Sequence, residues 1–225
     1  LGAIKGVSPS FFGIKDHNQF RASEIQSLGL RGTSCRIHLP DGNSFPCIIP
    51  LPGAHMVSNA LAGAAAGYSL GLTPAEIKAG IEGLPSIPGR NNIITTDDYI
   101  ILDDCYNANP VSTKAAIDVL DMAIGRKVAI LGDMGELGEQ AEELHYETGL
   151  YAAGHHIDLV CGIGRLAKEI VQGAIKGSCT EAVWFETKEE FLDKMHILLK
   201  KGDNVLVKAS HGMHFPEIVD ALKGE

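Results

Sequence analysis

The sequence contains no long apolar run. None of its 225 residues lies in a stretch approaching the roughly 18 consecutive apolar residues that a membrane-spanning helix needs. Residues 1–5 also lack the charged and apolar regions of a secretory signal peptide. These two absences predict a cytoplasmic protein that does not insert into a membrane.

Cysteine and basic residues are also scarce. The five cysteines are odd in number, widely spaced and without a C-x-x-C pair, which favours free thiols over disulfides and argues against structural zinc. Nineteen lysines and arginines stand against 28 aspartates and glutamates, for a formal charge of −9. A nucleic-acid surface needs clustered basic residues to displace counterions from phosphates, so we expect no nucleic-acid partner.

The excess of acidic residues is confined to the second part of the chain. Residues 1–88 hold 6 lysines and arginines against 5 acids, whereas residues 89–225 hold 13 against 23. The change coincides with segment 84–90, whose two prolines and glycine are typical of a linker. We therefore predict two domains, 1–88 and 89–225.

The first part has the pattern of a small sheet followed by helices. Between residues 19 and 49 apolar and polar residues alternate around a turn signal at Asp41, which predicts antiparallel strands. Helical spacing between residues 54 and 70 predicts one helix, and the capping pattern that begins at Thr73 predicts a second.

Beyond the linker, five short apolar runs each precede a helical pattern. Strands that alternate with helices predict a mostly parallel sheet with helices on both faces. The predicted fold class is therefore α/β, preceded by a smaller unit of antiparallel strands and two helices. The predicted strands are 99–102, 127–131, 159–161, 182–184 and 205–207.

Polar residues are crowded after the first of these strands. Residues 103–110 read Asp-Asp-Cys-Tyr-Asn-Ala-Asn-Pro, although a strand-to-helix turn needs only one capping Asp or Asn. Ligands bind at the carboxyl ends of strands in open α/β sheets. The cluster therefore predicts a binding site, with simple helix capping as the alternative.

The loop after the third predicted strand carries Gly162 and Gly164 in a G-x-G-x-x-A pattern. In dinucleotide-binding proteins such glycines let a pyrophosphate approach the backbone. Here the pattern follows the third strand rather than the first, and Glu186 matches the expected acidic residue only loosely. A tight structural turn is the favoured interpretation, and a nucleotide site stays open.

Two more loops combine charged residues with glycine or serine. Asp133 and Glu136 lie among three glycines after the second strand, and His145 follows on the next helix. Lys208 and Ser210 close the last strand at a helix N-terminus, which suits an anionic ligand. Turn formation and helix capping explain the same residues, so these patterns alone leave the function open.

Taken in order, the motifs resemble the Mur ligase family of peptidoglycan assembly over nearly the whole chain. The most specific runs are Tyr-Asn-Ala-Asn at 106–109 and Gly-Asp-Met-Gly-Glu-Leu-Gly at 132–138, which resemble the members that add a dipeptide rather than a single amino acid. The other matching runs are Leu-Pro-Gly-Ala-His at 51–55, Asn-Ala-Leu-Ala at 59–62, Pro-Gly-Arg at 88–90 and Lys-Ala-Ser at 208–210.

The resemblance implies an ATP-dependent amide ligase. Its implied partners are UDP-N-acetylmuramoyl-tripeptide and D-alanyl-D-alanine, its implied cofactors are ATP and Mg²⁺, and we expect a monomer. It also implies that residues 1–88 are the end of a central ATPase domain and that residues 89–225 are a Rossmann-like C-terminal domain.

The resemblance also assigns roles to single residues. The implied ATP-binding residues are Asn59, Arg90, Asp104, Tyr106, Asn107 and Asn109. The implied substrate-binding residues are Asp133, Glu136, Leu137, Gly138, Lys208, Ser210 and His211. His145 and Lys208 are candidates for a catalytic role, and no general base is assigned.

Two residues depart from the family pattern. Met56 stands where the family usually has asparagine, and His211 stands where it usually has arginine. A methionine side chain cannot donate a hydrogen bond to a nucleotide. An imidazole can lose its charge near neutral pH whereas a guanidinium cannot, so anion binding at residue 211 is expected to depend on pH.

The sequence contains no G-x-x-x-x-G-K-[ST] run. The loop that cradles the ATP phosphates and the Mg²⁺ ligands are therefore expected upstream, with no metal site in this chain. We interpret the chain as the C-terminal half of an enzyme. Two alternatives stay open: an NAD(P)-dependent oxidoreductase built on the second domain, and a non-catalytic nucleotide-binding module.

The 225-residue chain by itself is expected neither to hydrolyse ATP nor to form a ligation product, because it lacks a phosphate-cradling loop. Phosphate release in the presence of ATP and both ligation substrates should equal that of a protein-free blank. Release above the blank would contradict the interpretation.

Overall fold

The computed structural model describes residues 9–224, which form two compact units. The first unit ends at Pro85 and the second begins at Ser86, inside the linker segment 84–90. The assignment of these units to particular domains of a longer enzyme stays a prediction. No helix within residues 9–224 has the length and apolar character needed to cross a membrane.

The first unit is a four-stranded sheet with two helices packed against it. Three strands are antiparallel, as predicted, but the short first strand pairs in parallel with the second, so the sheet is mixed. The strands, in spatial order, are β1 (Phe12–Gly13), β2 (Phe20–Ser27), β3 (Thr33–His38) and β4 (Ser44–Ile49), and the helices are α1 (His55–Ser69) and α2 (Pro74–Glu82).

The core of this unit follows from the alternation read in the sequence. Every second residue of β3 and β4 is buried, including Ile37 and Ile49, and these pack with Leu61 of α1. The start of α2 is fixed by a capping box, in which the Thr73 hydroxyl accepts from the Glu76 amide and the Glu76 carboxylate accepts from the Thr73 amide.

The second unit is a six-stranded sheet flanked by helices, which confirms the predicted α/β class. All five predicted strands are present and parallel, and an additional strand, which the sequence analysis did not identify, pairs antiparallel at one edge. The strands, in spatial order, are β5 (Asn92–Thr95), β6 (Tyr99–Asp103), β10 (Asp203–Lys208), β7 (Lys127–Gly132), β8 (Leu159–Ile163) and β9 (Glu181–Phe185).

Five helices connect and cover these strands. Helix α4 packs against α3 and α5, and α3 and α5 pack against the sheet. Helices α6 and α7 contribute Phe191 and Ile218 to the core built on Val205 and Val207. All residues of β8 and β10 are buried, as expected for strands covered on both faces. The helices are α3 (Pro110–Asp121), α4 (Ala141–Gly154), α5 (Ala167–Lys176), α6 (Lys188–Leu198) and α7 (Pro216–Lys223).

The strand order places three loops side by side. Strands β6 and β7 are joined through α3, but β10 lies between them and pairs with both. The loops that follow β6, β10 and β7 are therefore neighbours at one edge of the sheet. A crevice forms at such a change of strand order in open α/β sheets, and ligands bind there.

Helices α4 and α5 cross at two glycines. A Cβ atom at Gly149 would lie 1.9 Å from the carbonyl oxygen of Ile170, and one at Gly173 would lie 2.1 Å from the carbonyl oxygen of Tyr146. Only glycine permits the two backbones to approach this closely.

Gly149→Ala is expected to lower the free energy of unfolding by about 1–3 kcal/mol or more, because the added methyl group must push the helices apart. Gly154→Ala is the control, since a Cβ at that end of the same helix would meet no atom within 4 Å. Urea unfolding followed by circular dichroism measures both variants, and equal stabilities would contradict the close crossing.

Candidate functional site

Three loops enclose a cavity of about 350 Å³ at the change of strand order, here called the three-loop cavity. Six of the residues predicted to bind ATP or substrate lie in its wall, drawn from all three loops. The lining residues are Asn107, Ala108 and Asn109 after β6, Gly135, Glu136 and Leu137 after β7, and Ser210, His211 and Gly212 after β10.

Lys208 anchors the polar loop that follows β6. Its side chain is only 2% exposed, and its ammonium group forms an ion pair with the Asp104 carboxylate. The same group donates to the main-chain oxygens of Asp104, at 3.3 Å, and Asn107, at 3.0 Å. With its donors committed inside the protein, Lys208 lies behind the cavity wall rather than in it, so the geometry does not support it as a catalytic or substrate-binding residue.

Asp103, which the resemblance did not assign to the site, ties the linker to this loop. Its buried carboxylate accepts from the Gly89 amide at 2.7 Å and from the Cys105 thiol at 3.0 Å. The neighbouring Asp104 carboxylate accepts from the Asn91 amide at 2.9 Å. Burial and the carboxylate of Asp103 raise the pKa of the Cys105 thiol, so that thiol stays protonated and is no nucleophile at neutral pH.

Arg90, Tyr106 and His211 form a stack beside the cavity. The Arg90 guanidinium lies 4.0 Å from the centre of the Tyr106 ring, and the His211 ring centre lies 5.5 Å from that of Tyr106. All three side chains are exposed. The Tyr106 and His211 rings are tilted by 49° to each other. The three side chains together present an exposed aromatic surface with a permanent positive charge, which suits a nucleotide or another anionic group.

Asn109 caps a helix, which is the alternative role that the sequence left open for this cluster. Its side-chain oxygen accepts from the Ser112 amide at 2.8 Å, and the Ser112 hydroxyl accepts from the Asn109 amide at 3.1 Å. Asn109 is therefore the N-cap of α3. Its side-chain oxygen is used by the cap, and its side-chain NH₂ group can still donate to a ligand.

Asn59 belongs to the first unit, where it lies on α1. Its side chain is exposed, and its amide group approaches the Met56 sulfur at 3.5 Å. The contact pairs one predicted ATP-binding residue with one of the two departures from the family pattern. Its role in binding ATP stays a prediction.

Asp133 is turned away from the three-loop cavity, contrary to its expected contact with substrate. Its carboxylate accepts from the amide of Ala167, the first residue of α5, at 2.7 Å. A Cβ at Gly164 would lie 2.6 Å from the same carboxylate oxygen. The glycine pattern at 162–167 therefore encloses an internal carboxylate at the place where a dinucleotide-binding loop would receive phosphate.

His145 is fully buried and does not reach the cavity. Its Nε2 accepts from the Met134 amide at 2.8 Å, and its Nδ1 donates to the Ala141 carbonyl oxygen at 2.6 Å. Those partners require the neutral imidazole with its proton on Nδ1. Both nitrogens are occupied, so the geometry does not support His145 as a catalytic acid or base.

The remaining predicted substrate-binding residues are Glu136, Leu137 and Gly138 in the loop after β7, and Ser210 and His211 after β10. Glu136 and Leu137 line the cavity and Gly138 ends the same loop, while the Ser210 hydroxyl accepts from the Gly135 amide at 2.7 Å. Gly135 and Gly212 also line the cavity, although neither was predicted to bind a ligand. Within residues 9–224, no group of three or more His, Cys, Asp or Glu side chains could hold a metal ion.

Comparison with known proteins identifies the family of this chain. Residues 89–211 match the family model described as "Mur ligase, glutamate ligase domain". The UDP-N-acetylmuramoyl-tripeptide–D-alanyl-D-alanine ligase of Bacillus subtilis is 36% identical over 94% of this chain and 46% of its own length. The chain thus spans about half the length of the curated relatives it matches.

Solved structures give the same result. MurF from Acinetobacter baumannii superposes with a TM-score of 0.84 at 29% identity, over 95% of this chain and 47% of that one. MurF from Thermotoga maritima, in complex with ADP, gives a TM-score of 0.79 at 25% identity, over 96% and 48%. By motif order, family model and sequence identity, this chain belongs to the Mur ligase family.

Proposed function

We propose that this chain is the part of an ATP-dependent amide ligase that holds the adenosine end of ATP and the incoming D-alanyl-D-alanine. The observation that supports it is the three-loop cavity, which combines Asn107 and Asn109 of the predicted ATP-binding set with Glu136, Ser210 and His211 of the predicted substrate set. The relatives named above carry this activity in their names, and one of them was solved with ADP.

The proposed reaction has two steps. The γ-phosphoryl group of ATP passes to the carboxylate of UDP-N-acetylmuramoyl-tripeptide, giving an acyl phosphate and ADP. The amine of D-alanyl-D-alanine then attacks the acyl carbon, phosphate leaves, and the nitrogen releases a proton as the amide forms. Such a reaction depends on holding the amine against the acyl phosphate, which is what a preformed cavity beside a nucleotide-binding surface can do.

The nucleotide side of the proposed site is the Arg90–Tyr106–His211 stack with Asp104. The Arg90 guanidinium lies 4.0 Å from the centre of the Tyr106 ring, and its N–H donors suit phosphate oxygens. The Asp104 carboxylate, oriented by Lys208 and the Asn91 amide, is an acceptor suited to ribose hydroxyl groups. Mg²⁺ would accompany the ATP phosphates, with its protein ligands outside this chain.

We further propose that residues 1–88 are the end of the central ATPase domain and that residues 89–225 are the C-terminal domain of the ligase. The family match over residues 89–211 supports the second assignment. We also propose a cytoplasmic location. We expect it to act as a monomer.

Amide chemical-shift mapping of the 225-residue chain tests the function. D-alanyl-D-alanine is expected to shift the amides of residues 135–138 and 210–212, and ATP those of Arg90 and residues 104–109. L-alanyl-L-alanine is the matched control and should shift them less. The proposal fails if the D-dipeptide shifts none of these amides.

The same experiment with NAD separates the oxidoreductase alternative. That alternative needs shifts at Gly162 and Gly164, whereas the Asp133 carboxylate already occupies the loop that contains them. We expect NAD to leave these two amides unshifted.

Lys208→Met is expected to destabilise the chain by about 3 kcal/mol, because it leaves the Asp104 carboxylate partly buried without its partner. Asp104 is a fifth exposed, which places the effect at the lower end for buried pairs. Adding Asp104→Asn should recover about 1 kcal/mol, since no unpaired charge then remains. Urea unfolding of the two single variants and the double variant measures the coupling, and additive effects would contradict it.

A further inference from the structure

Two cysteines of the first unit face each other across neighbouring strands. Cys35 of β3 lies directly opposite Cys47 of β4 in the antiparallel ladder. Both side chains point to the buried face of the sheet, where they are 5% and 2% exposed and belong to the core of the unit. Both are free thiols, and neither has a part in the proposed ligase site.

The hydrogen-bond pattern of the ladder sets the distance between the strands at this pair. The Ile48 amide donates to the Glu82 carboxylate at 3.0 Å, so it points away from β3. Amides that face the partner strand alternate with amides that do not, so Cys47 holds a hydrogen-bonded position. Opposite residues at such a position have Cα atoms about 5.5 Å apart, which is within the commonest range for disulfides.

The two side chains also point in directions that suit a bond between them. Cβ atoms of directly opposite residues are about 4.5–5.5 Å apart, and a disulfide needs about 3.5–4.5 Å, so a shift of about 1 Å is enough. Within residues 9–224 neither thiol donates a hydrogen bond, whereas the Cys105 and Cys179 thiols each donate to an oxygen. Cys35 and Cys47 can therefore rotate toward each other without losing a partner.

Strand β4 is able to make that shift. In the described part of the chain it lies at the edge of its sheet and pairs only with β3. An edge strand opens locally without disrupting a second ladder, and such an opening also admits a small oxidant to the buried thiols. The neighbouring Pro46 has no N–H group, so it adds no hydrogen bond to the ladder.

We propose that Cys35 and Cys47 are an oxidation-sensitive pair, which hydrogen peroxide converts into a reversible disulfide between β3 and the edge strand β4. One thiolate attacks a peroxide oxygen, and the O–O bond breaks to give a sulfenic acid and hydroxide. The second thiolate attacks that sulfur, the S–O bond breaks, and another hydroxide leaves. The two thiol protons neutralise the hydroxides, so two thiols and one peroxide give one disulfide and two water molecules.

The surroundings make the reaction slow at neutral pH. Burial, followed by the neighbouring Cys35 and Glu82, raises the pKa of Cys47 to about 12, and burial also raises the pKa of Cys35. The thiolate is the reactive form, so both groups are mostly unreactive until β4 opens or peroxide accumulates. In a reducing compartment the pair therefore stays as two thiols, and oxidative stress closes it.

Peroxide treatment of the 225-residue chain tests the proposal. The remaining thiols are then alkylated in urea, and the chain is digested without reductant. Trypsin cleaves after Arg31 and Arg36, so the disulfide joins peptides 32–36 and 37–78. Mass spectrometry should find this pair, lighter by two hydrogens, as the main oxidised product, and dithiothreitol should separate it. Alkylated Cys35 and Cys47, or sulfinic acid at either, would overturn the proposal.

Two controls show whether the ladder directs the pairing. In the second unit, strand register places Cys161 opposite Val183 rather than Cys179, so these two thiols should remain open to alkylation. Treatment in concentrated urea should give mixed cross-links, because an unfolded chain has no strand register. An equally mixed pattern from the folded chain would overturn the proposal.

The double variant Cys47→Ala/Ile49→Cys is the matched control for distance. It moves the second thiol along the same face of β4, opposite Thr33 instead of Cys35. Diagonal neighbours have Cα atoms about 7–8 Å apart, beyond the reach of a disulfide. We expect cross-linking at least about tenfold slower than in the unmodified chain, and equal rates would overturn the proposal. If this variant does not fold, the comparison of folded and unfolded unmodified chain decides.

Hydrogen exchange tests the effect on β4. The amides of Phe45, Cys47 and Ile49 hold the positions that face β3 in the alternating pattern. A covalent link prevents the strands from separating, so we expect these amides to exchange about tenfold more slowly in the oxidised chain than in the reduced one. Amides of β10, in the second unit, should be unchanged. Equal exchange of the three β4 amides in both forms would overturn the linking of β4 to β3.

Discussion

The site depends on one buried cation at the end of the central strand. Lys208 closes β10, and its ammonium group binds the Asp104 carboxylate and the Asn107 carbonyl oxygen in the loop after β6. Burying a lysine is costly unless every donor is satisfied, and the strand order makes that possible because β10 pairs directly with β6. The polar loop after β6 is therefore held in one conformation, because the Lys208 ammonium group binds two of its backbone oxygens and one carboxylate from the protein interior.

Around the cavity, too, some polar side chains support the loops and others line the cavity itself. Asp133 is bound to the N-terminus of α5, and His145 is bound between α4 and the loop after β7. Neither lies in the three-loop cavity, yet both fix the loops that do. The side chains left facing the cavity include carboxamides, a hydroxyl, an imidazole and the Glu136 carboxylate, all of which can form hydrogen bonds with a ligand.

Much of the fold could be predicted from the sequence because its signals are local. The five parallel strands are short apolar runs followed by helical spacing, and the start of α2 has the Thr73 and Glu76 capping pattern. Strand β5 was missed, because Asn92–Thr95 is short, lies at an edge and lacks an alternating pattern. The parallel pairing of β1 was missed for a related reason, since two residues carry no periodicity.

The sequence by itself determined the family, the α/β class and the three loops that carry chemistry, because motifs and periodicity depend on residues close together in the chain. Only the tertiary structure decided which residues of those loops line the three-loop cavity. Lys208, Asp133 and His145 looked like site residues by type and spacing, but each finds its partner 11 to 104 residues away. The hydrogen-bond partners of a polar side chain depend on contacts between distant segments, and residue spacing along the chain does not encode those contacts.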